Sequence, residues 1–151
     1  MDPLDFIALA LRLSSSSKEA ELRSAVGRAY YGAFHVARRF LCDCGLRFSS
    51  KDLYAAEIHQ KIQYCLSESG NADAVIARDG LKTLRSQRNE ADYDLDTTTF
   101  RSPGNVAAMV RVAPAIVDAM QRCRTEPAFS EARAKIRIYA RDVLRIAVDE
   151  G

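Results

Sequence analysis

Apolar positions recur along the chain at three- and four-residue spacing, the period of helices that bury one face. Near the start, Leu4, Ile7, Ala8, Leu11 and Leu13 predict a helix over 3–14. Ser14 to Ser17 interrupt it. Ser16 and Glu19 have capping-box spacing, so a second helix is expected from about 17 to 44, stopping near Gly45. Its stripe is Leu22, Val26, Ala29, Ala33, Val36 or Ala37, and Phe40; Tyr30 and Phe34 widen it and mark the most buried helix. Gly27, Gly32, Ala33 and Ala37 read as close packing contacts. After a connection over 46–51, a third helix is expected over 52–69, with Leu53, Ala56, Ile58, Ile62, Cys65 and Leu66 inward and Gly70 at its end. Asn71 can cap a fourth helix over 72–93, with Val75, Ile76, Leu81 and Leu84 inward. Gly80 within it costs about 1 kcal/mol relative to Ala, so it implies a kink or a close neighbour.

The stretch DLDTTTFRSPGN, 94–105, is the strongest loop signal. A fifth helix follows over 105–124, kinked at Pro114. Thr125 to Pro127 make a break, and a sixth helix is expected over 128–148. No alternation of strand type and no internal repeat is evident. The expected fold is all-α, an antiparallel up-and-down bundle of five to six helices. It forms a single domain over 1–151, with a core at 3–124 and an additional helix at 128–148.

Composition agrees with a folded globular chain. Hydrophobic residues make up 48% of the 151 and charged residues 28%, with only 7 Gly and 4 Pro. The net charge of +2 is too balanced for nucleic-acid binding by bulk charge alone. The basic set is 17 Arg to 5 Lys, which favours planar, bidentate contacts to phosphate or carboxylate. The start lacks a basic segment and a cleavage site, and no apolar run reaches membrane-spanning length, so a cytoplasmic protein is expected. Cys42, Cys44, Cys65 and Cys123 show neither disulfide nor zinc spacing and read as reduced thiols, with Cys42 and Cys44 a small buried pair. No metal site and no cofactor is expected.

The most distinctive segment runs from Leu81 to Asp94. Arg85 and Arg88 are neighbours three apart, and Asp92 follows Arg88 by four. One reading is a phosphate-binding arginine pair, fixed by Asn89 and a carboxylate; the other is an ion pair on a solvated face. In the second helix, Arg28, Tyr31 and His35 fall close together on an edge beside the apolar stripe, where a phenol, an imidazole and an arginine could support a site. The last helix carries Arg133, Arg137, Arg141 and Arg145 at steps of four, either an RNA or acidic-partner contact or a solvated ribbon beside a docking stripe.

Two motifs, Arg23-Ser-Ala-Val-Gly-Arg-Ala-Tyr-Tyr-Gly-Ala-Phe-His35 and Leu84-Arg-Ser-Gln-Arg-Asn-Glu-Ala-Asp-Tyr93, occur in this order about fifty residues apart. Together they resemble the HEPN domain superfamily, in particular its small stand-alone members. The resemblance covers about residues 4–122. It implies a helical bundle that pairs as a homodimer, in prokaryotic toxin–antitoxin or other defence-type systems. Many members are metal-independent endoribonucleases whose composite site joins two copies of a motif: Arg, a polar residue, and a His further on. Others are non-catalytic RNA-binding, partner-binding or dimerisation modules, paired with a small nucleotidyltransferase or with an antitoxin.

On this resemblance, Arg88 matches the motif arginine and Asn89 the polar residue after it. The window for the histidine holds Tyr93, Asp94 and Leu95; counted from Arg85 it holds Glu90, Ala91 and Asp92. Tyr is a poor base near neutral pH, and a carboxylate repels an incoming phosphate. The expected catalytic set is therefore Arg88, Asn89, Asp92 and Tyr93, with Arg85 and Arg88 on RNA phosphate and Arg28, Tyr31 and His35 in support. His35 could supply the missing imidazole only if the second helix faces Arg88.

Overall fold

The computed structural model describes residues 1–150. Those residues are all-α apart from one pair of two-residue strands. The chain divides into two compact units, one of residues 1–36 with 79–117, the other of 37–78 with the residues from 118 onward.

In the first unit, α1 spans Pro3–Leu13. The Asp2 carboxylate accepts the Leu4 N–H at 3.0 Å, and Pro3 occupies a first-turn position where its missing N–H costs nothing. The buried face is Pro3, Ile7 and Ala10, while Leu4 and Leu11 stay exposed. The stripe is thus rotated from the one expected, because Gly32 of α2 (Glu19–Asp43) sets the docking point. A Cβ on Gly32 would lie 2.5 Å from Ile7 Cγ1 and 3.1 Å from the Pro3 carbonyl oxygen. Gly27, expected to be a packing contact, faces nothing within 4 Å. The start of α2 also differs. Ser16 Oγ accepts the Lys18 N–H at 3.0 Å and donates to Glu21, leaving Glu19 to Arg23. Leu22, Val26, Ala29, Tyr30, Ala33 and Phe34 of α2 are buried, as the sequence pattern required, and Ala25 is buried with them.

Further on, α5 spans Ala72–Tyr93, with Leu81 and Leu84 buried. It runs through Gly80 as one helix. The glycine is there for a neighbour: a Cβ would sit 2.8 Å from Ile116 Cγ1 and 3.2 Å from Val112 Cγ1. A 3-10 turn at Thr99–Arg101 precedes α6, Pro103–Val110, capped by Ser102 Oγ on the Asn105 N–H. The expected kink at Pro114 is a break, and α7 restarts at Val112, spanning Val112–Arg122. Pro114 has no N–H for the Val110 carbonyl, so the hydrogen-bond ladder fails at that register and Arg111 becomes the joint.

The second unit holds the end of α2, the start of α5, the end of α7 and the remaining helices. The single helix expected over 52–69 is two, α3 (Ser50–Tyr54) and α4 (Ile58–Ser67). Ser49 and Asp52 form a capping box, and Ala55 turns extended at ψ 139°. Ala56 is exposed, whereas Ile58, Ile62, Cys65 and Leu66 are buried. On α5 the inward positions are Ala74 and Ala77, with Ile76 exposed. The last helix, α8, spans Ala128–Asp142 and stops before the expected 148. Beyond it Arg145 has φ 56°, and β2 (Ala147–Val148) pairs antiparallel with β1 (Leu46–Arg47). Strands of two residues carry no alternation for a sequence to display. Gly45 (φ 95°) and Gly70 (φ 66°) end α2 and α4 in the left-handed region that glycine tolerates.

Candidate functional site

The first unit brings five of the expected site residues together around Arg88. Arg88, Asn89, Asp92 and Tyr93 occupy the last turns of α5, and Tyr31 reaches them from α2. Arg88 Nη1 donates to Asn89 Oδ1 at 2.9 Å, and Nη2 donates to the Tyr31 hydroxyl at 3.0 Å. Asp92 Oδ2 lies 2.8 Å from Arg88 Nε, but the Nε–H finds no well-directed partner, so this is a charge contact more than a hydrogen bond. The guanidinium carbon sits 5.5 Å from the Tyr31 ring centroid and 5.9 Å from that of Tyr93. Two hydrogen bonds, one charge contact and two rings thereby fix its plane. One N–H on each Nη remains for something else, because a guanidinium carries five donors.

The group is reachable. The Arg88 side chain keeps 22% of its surface, and Tyr93 is 77% exposed. Arg85, about one turn earlier, is half-buried and makes no hydrogen bond or ion pair among the described residues. Both arginines lie near Tyr30, which is buried; burial pushes its phenol well above the ordinary tyrosine range, and the two positive charges only partly oppose this. Tyr30 is thus a neutral floor to a cationic site.

Arg28 and His35 form a neighbouring cluster around Phe6 of α1. Arg28 lies 5.6 Å from the Phe6 ring centroid, and His35 stacks on that ring at 6.2 Å and 13°. His35 also meets Phe34 edge-on at 5.2 Å.

Two residues that the sequence reading did not assign hold the site in place. Arg23, 9% exposed, donates to the carbonyls of Ala91 (2.9 Å), Asp94 (2.9 Å), Thr97 (3.1 Å) and Leu95 (3.4 Å), and pairs with Glu19 at 2.7 Å. It ties off the orphan carbonyls at the end of α5, which every helix must satisfy somehow. Glu90 accepts from Thr97 and Thr99 at 3.0 and 3.1 Å and pins the following loop. The available signal was an arginine set inside a stripe of buried positions.

The arginine ribbon of the last helix resolves in the second unit. Arg133 and Arg137 both donate to the Cys44 carbonyl at 3.4 Å, and Arg137 also donates to the Asp149 carbonyl. Arg141 pairs with the adjacent Asp142 at 2.7 Å, and Arg145 lies beyond the helix. The first two are fasteners. Of the Cys42–Cys44 pair, only Cys44 is buried, contrary to expectation; Cys42 is exposed because it falls on the outer side of the last turn of α2. Burial raises the thiols of Cys44 and Cys65 to about 12 and that of Cys123 to about 11, so these three stay protonated. Among the described residues, no group of three or more His, Cys, Asp or Glu is placed to hold a metal ion. No helix among them is long and apolar enough to cross a membrane.

No protein-family model matches the chain, and no solved structure matches it. The chain is similar to an uncharacterized protein of Methanocaldococcus jannaschii, with 33% identity over 108 residues. That match spans 64% of this chain and 65% of the archaeal protein.

Proposed function

We propose that this is a HEPN-like protein of a prokaryotic toxin–antitoxin or defence-type system, and that it binds RNA through the Arg88 site. The observation that carries the reading is the part-exposed guanidinium of Arg88, held by Tyr31 and Asn89, with one N–H on each Nη not used by these two bonds. A phosphate takes such a pair of donors in bidentate fashion. Arg85 adds charge without an internal partner, and exposed Tyr93 offers a ring for a base to stack on. Charge plus an exposed ring suits single-stranded RNA.

Fluorescence anisotropy with a labelled single-stranded RNA tests this. Arg88→Ala should weaken binding roughly ten- to a hundredfold, the value of a charge-assisted contact of about 1.5–3 kcal/mol. Tyr93→Ala should cost about 1–3 kcal/mol of stacking. RNA affinity unchanged in Arg88→Ala, with the fold intact by circular dichroism, refutes the reading.

Endoribonuclease activity is a second reading, favoured by the Tyr31 hydroxyl arriving from another helix at the Arg88 guanidinium. RNA cleavage by the wild type that disappears in Arg88→Ala would establish it. Binding without cleavage would leave a non-catalytic RNA-binding module.

A further inference from the structure

Fastening uses only a minority of the donors that α8 carries in Arg133 and Arg137. The two arginines lie one turn apart and are both half-buried. With Ser130 and Ala134 they line a groove of about 300 Å³ along one side of the helix. Arg133 spends its Nε–H on the Cys44 carbonyl, and Arg137 spends one N–H of Nη1 on the same oxygen, both at 3.4 Å, long for such a bond. Arg137 Nη2 adds the Asp149 carbonyl. A guanidinium carries five donors, so Arg133 keeps both Nη groups, and Arg137 keeps its Nε–H and one N–H on each Nη.

Neither arginine has a carboxylate partner among the described residues, whereas Arg47, Arg124 and Arg141 of the same unit each hold an aspartate. The acids around the groove are engaged elsewhere. Asp149 offers Arg137 only its main-chain oxygen, because its carboxylate is on Arg47. Glu126, one turn before Ser130, accepts the Ser130 N–H and hydroxyl at 3.2 and 2.9 Å. Two like charges at four-residue spacing repel, and half-burial screens that repulsion less than an open face does.

We propose that this groove binds a compact phosphate dianion, either free phosphate or the terminal phosphate of a nucleotide. Such a dianion matches both charges at once, and its oxygens meet the planar forks in bidentate fashion. A backbone phosphodiester carries one charge and has two of its oxygens esterified, so it matches less well. The volume lies at the lower end of small-molecule sites, which selects a small ligand. This site belongs to the other unit from Arg88 and takes a different phosphate chemistry, so neither assignment rests on the other.

NMR of the arginine Nε–H signals tests it, during titration with inorganic phosphate at constant ionic strength and about pH 8, where the dianion prevails. The Arg133 and Arg137 signals should shift to saturation, with a Kd of about 1 mM or tighter. Dimethyl phosphate, a diester, should bind at least about tenfold more weakly, and this wild-type comparison stands whether or not any variant folds. Arg133→Gln, followed at Arg137, should weaken phosphate at least about tenfold, with circular dichroism as the check on folding. Arg88→Ala should leave the titration unchanged, which separates this groove from the RNA site. Adenosine 5′-monophosphate run alongside distinguishes the sources: binding tighter than inorganic phosphate assigns a nucleotide, and equal or weaker binding assigns free phosphate. Shifts that never saturate, dimethyl phosphate binding as tightly as phosphate, or a folded Arg133→Gln that binds like the wild type would each overturn the proposal.

Discussion

Arg23 and Arg88 lie in the same unit and each links α2 to the end of α5, yet their surroundings assign them opposite jobs. Arg23 is buried and spends its donors on four backbone carbonyls and one carboxylate. Arg88 is held by side-chain oxygens and rings, and its side chain stays part-exposed. An arginine saturated by backbone is a fastener, since nothing can compete for it without unmaking the fold. One that is oriented but not saturated can take a ligand at little structural cost.

The largest expected effect comes from breaking the fastener. Arg23→Ala should lose about 3 kcal/mol of stability, on the order of 1 kcal/mol for each of the carbonyls of Ala91, Asp94 and Thr97 left without its donor, while Glu19 keeps Arg101. Urea denaturation measures it, and a loss below about 1 kcal/mol would erase the contrast. Arg88→Ala should cost only about 0–1 kcal/mol by the same assay, since its Asp92 pair is part-exposed, while carrying the larger loss of RNA affinity. If Arg88→Ala destabilises as much as Arg23→Ala, both are fasteners.

Tyr31→Phe sharpens the comparison further. It deletes the hydroxyl that orients Arg88 and keeps the ring, so about 0.5–1.5 kcal/mol of RNA affinity should go with little change in unfolding.

The smallest effect is in acid. The hydrogen bond from Arg23, followed by the Arg23 and Arg101 charges, holds the Glu19 carboxyl below its ordinary value against some desolvation. A group lowered in the folded state stabilises above its unfolded value and loses that contribution as pH falls through the folded one. The Glu19 titration followed by NMR should therefore lie below the usual glutamate range, and move up towards it in Arg101→Ala. An unshifted titration in the wild type would remove Glu19 from the lock.

Much of the helical framework was legible in the sequence. The span of α5 is visible in the sequence, since Asn71 caps it, with Oδ1 accepting from Asp73 and Ala74 at 2.9 and 3.2 Å, and the loop residues after Tyr93 end it. Short breaks were less visible. The extended Ala55 and the joint at Arg111 each interrupt a pattern that stays apolar at helical spacing on both sides. On α1 the apolar pattern points to Leu4 and Leu11, which look more apolar than Pro3 and Ala10, but proximity to Gly32 decides which side docks.

At the site, the Arg88–Asp92 pair was readable because four residues make one helical turn. The Tyr31 contact bridges 57 residues and exists only once α2 and α5 are side by side. Arg23 was hidden for a related reason: its partners are carbonyls, which every residue has and no sequence displays.

The two-residue ladder between β1 and β2 joins positions about a hundred residues apart, with the Asp149 N–H on the Gly45 carbonyl at 2.8 Å. Closing so long a loop costs several kcal/mol of chain entropy, more than a ladder this short can return. The pairing therefore depends on α8 already being docked by its buried alanines and Ile136 and by Arg133 and Arg137. The Asp149 amide is in effect a gauge of that docking, and its hydrogen-exchange rate should report release of the last helix long before the rest of the chain unfolds.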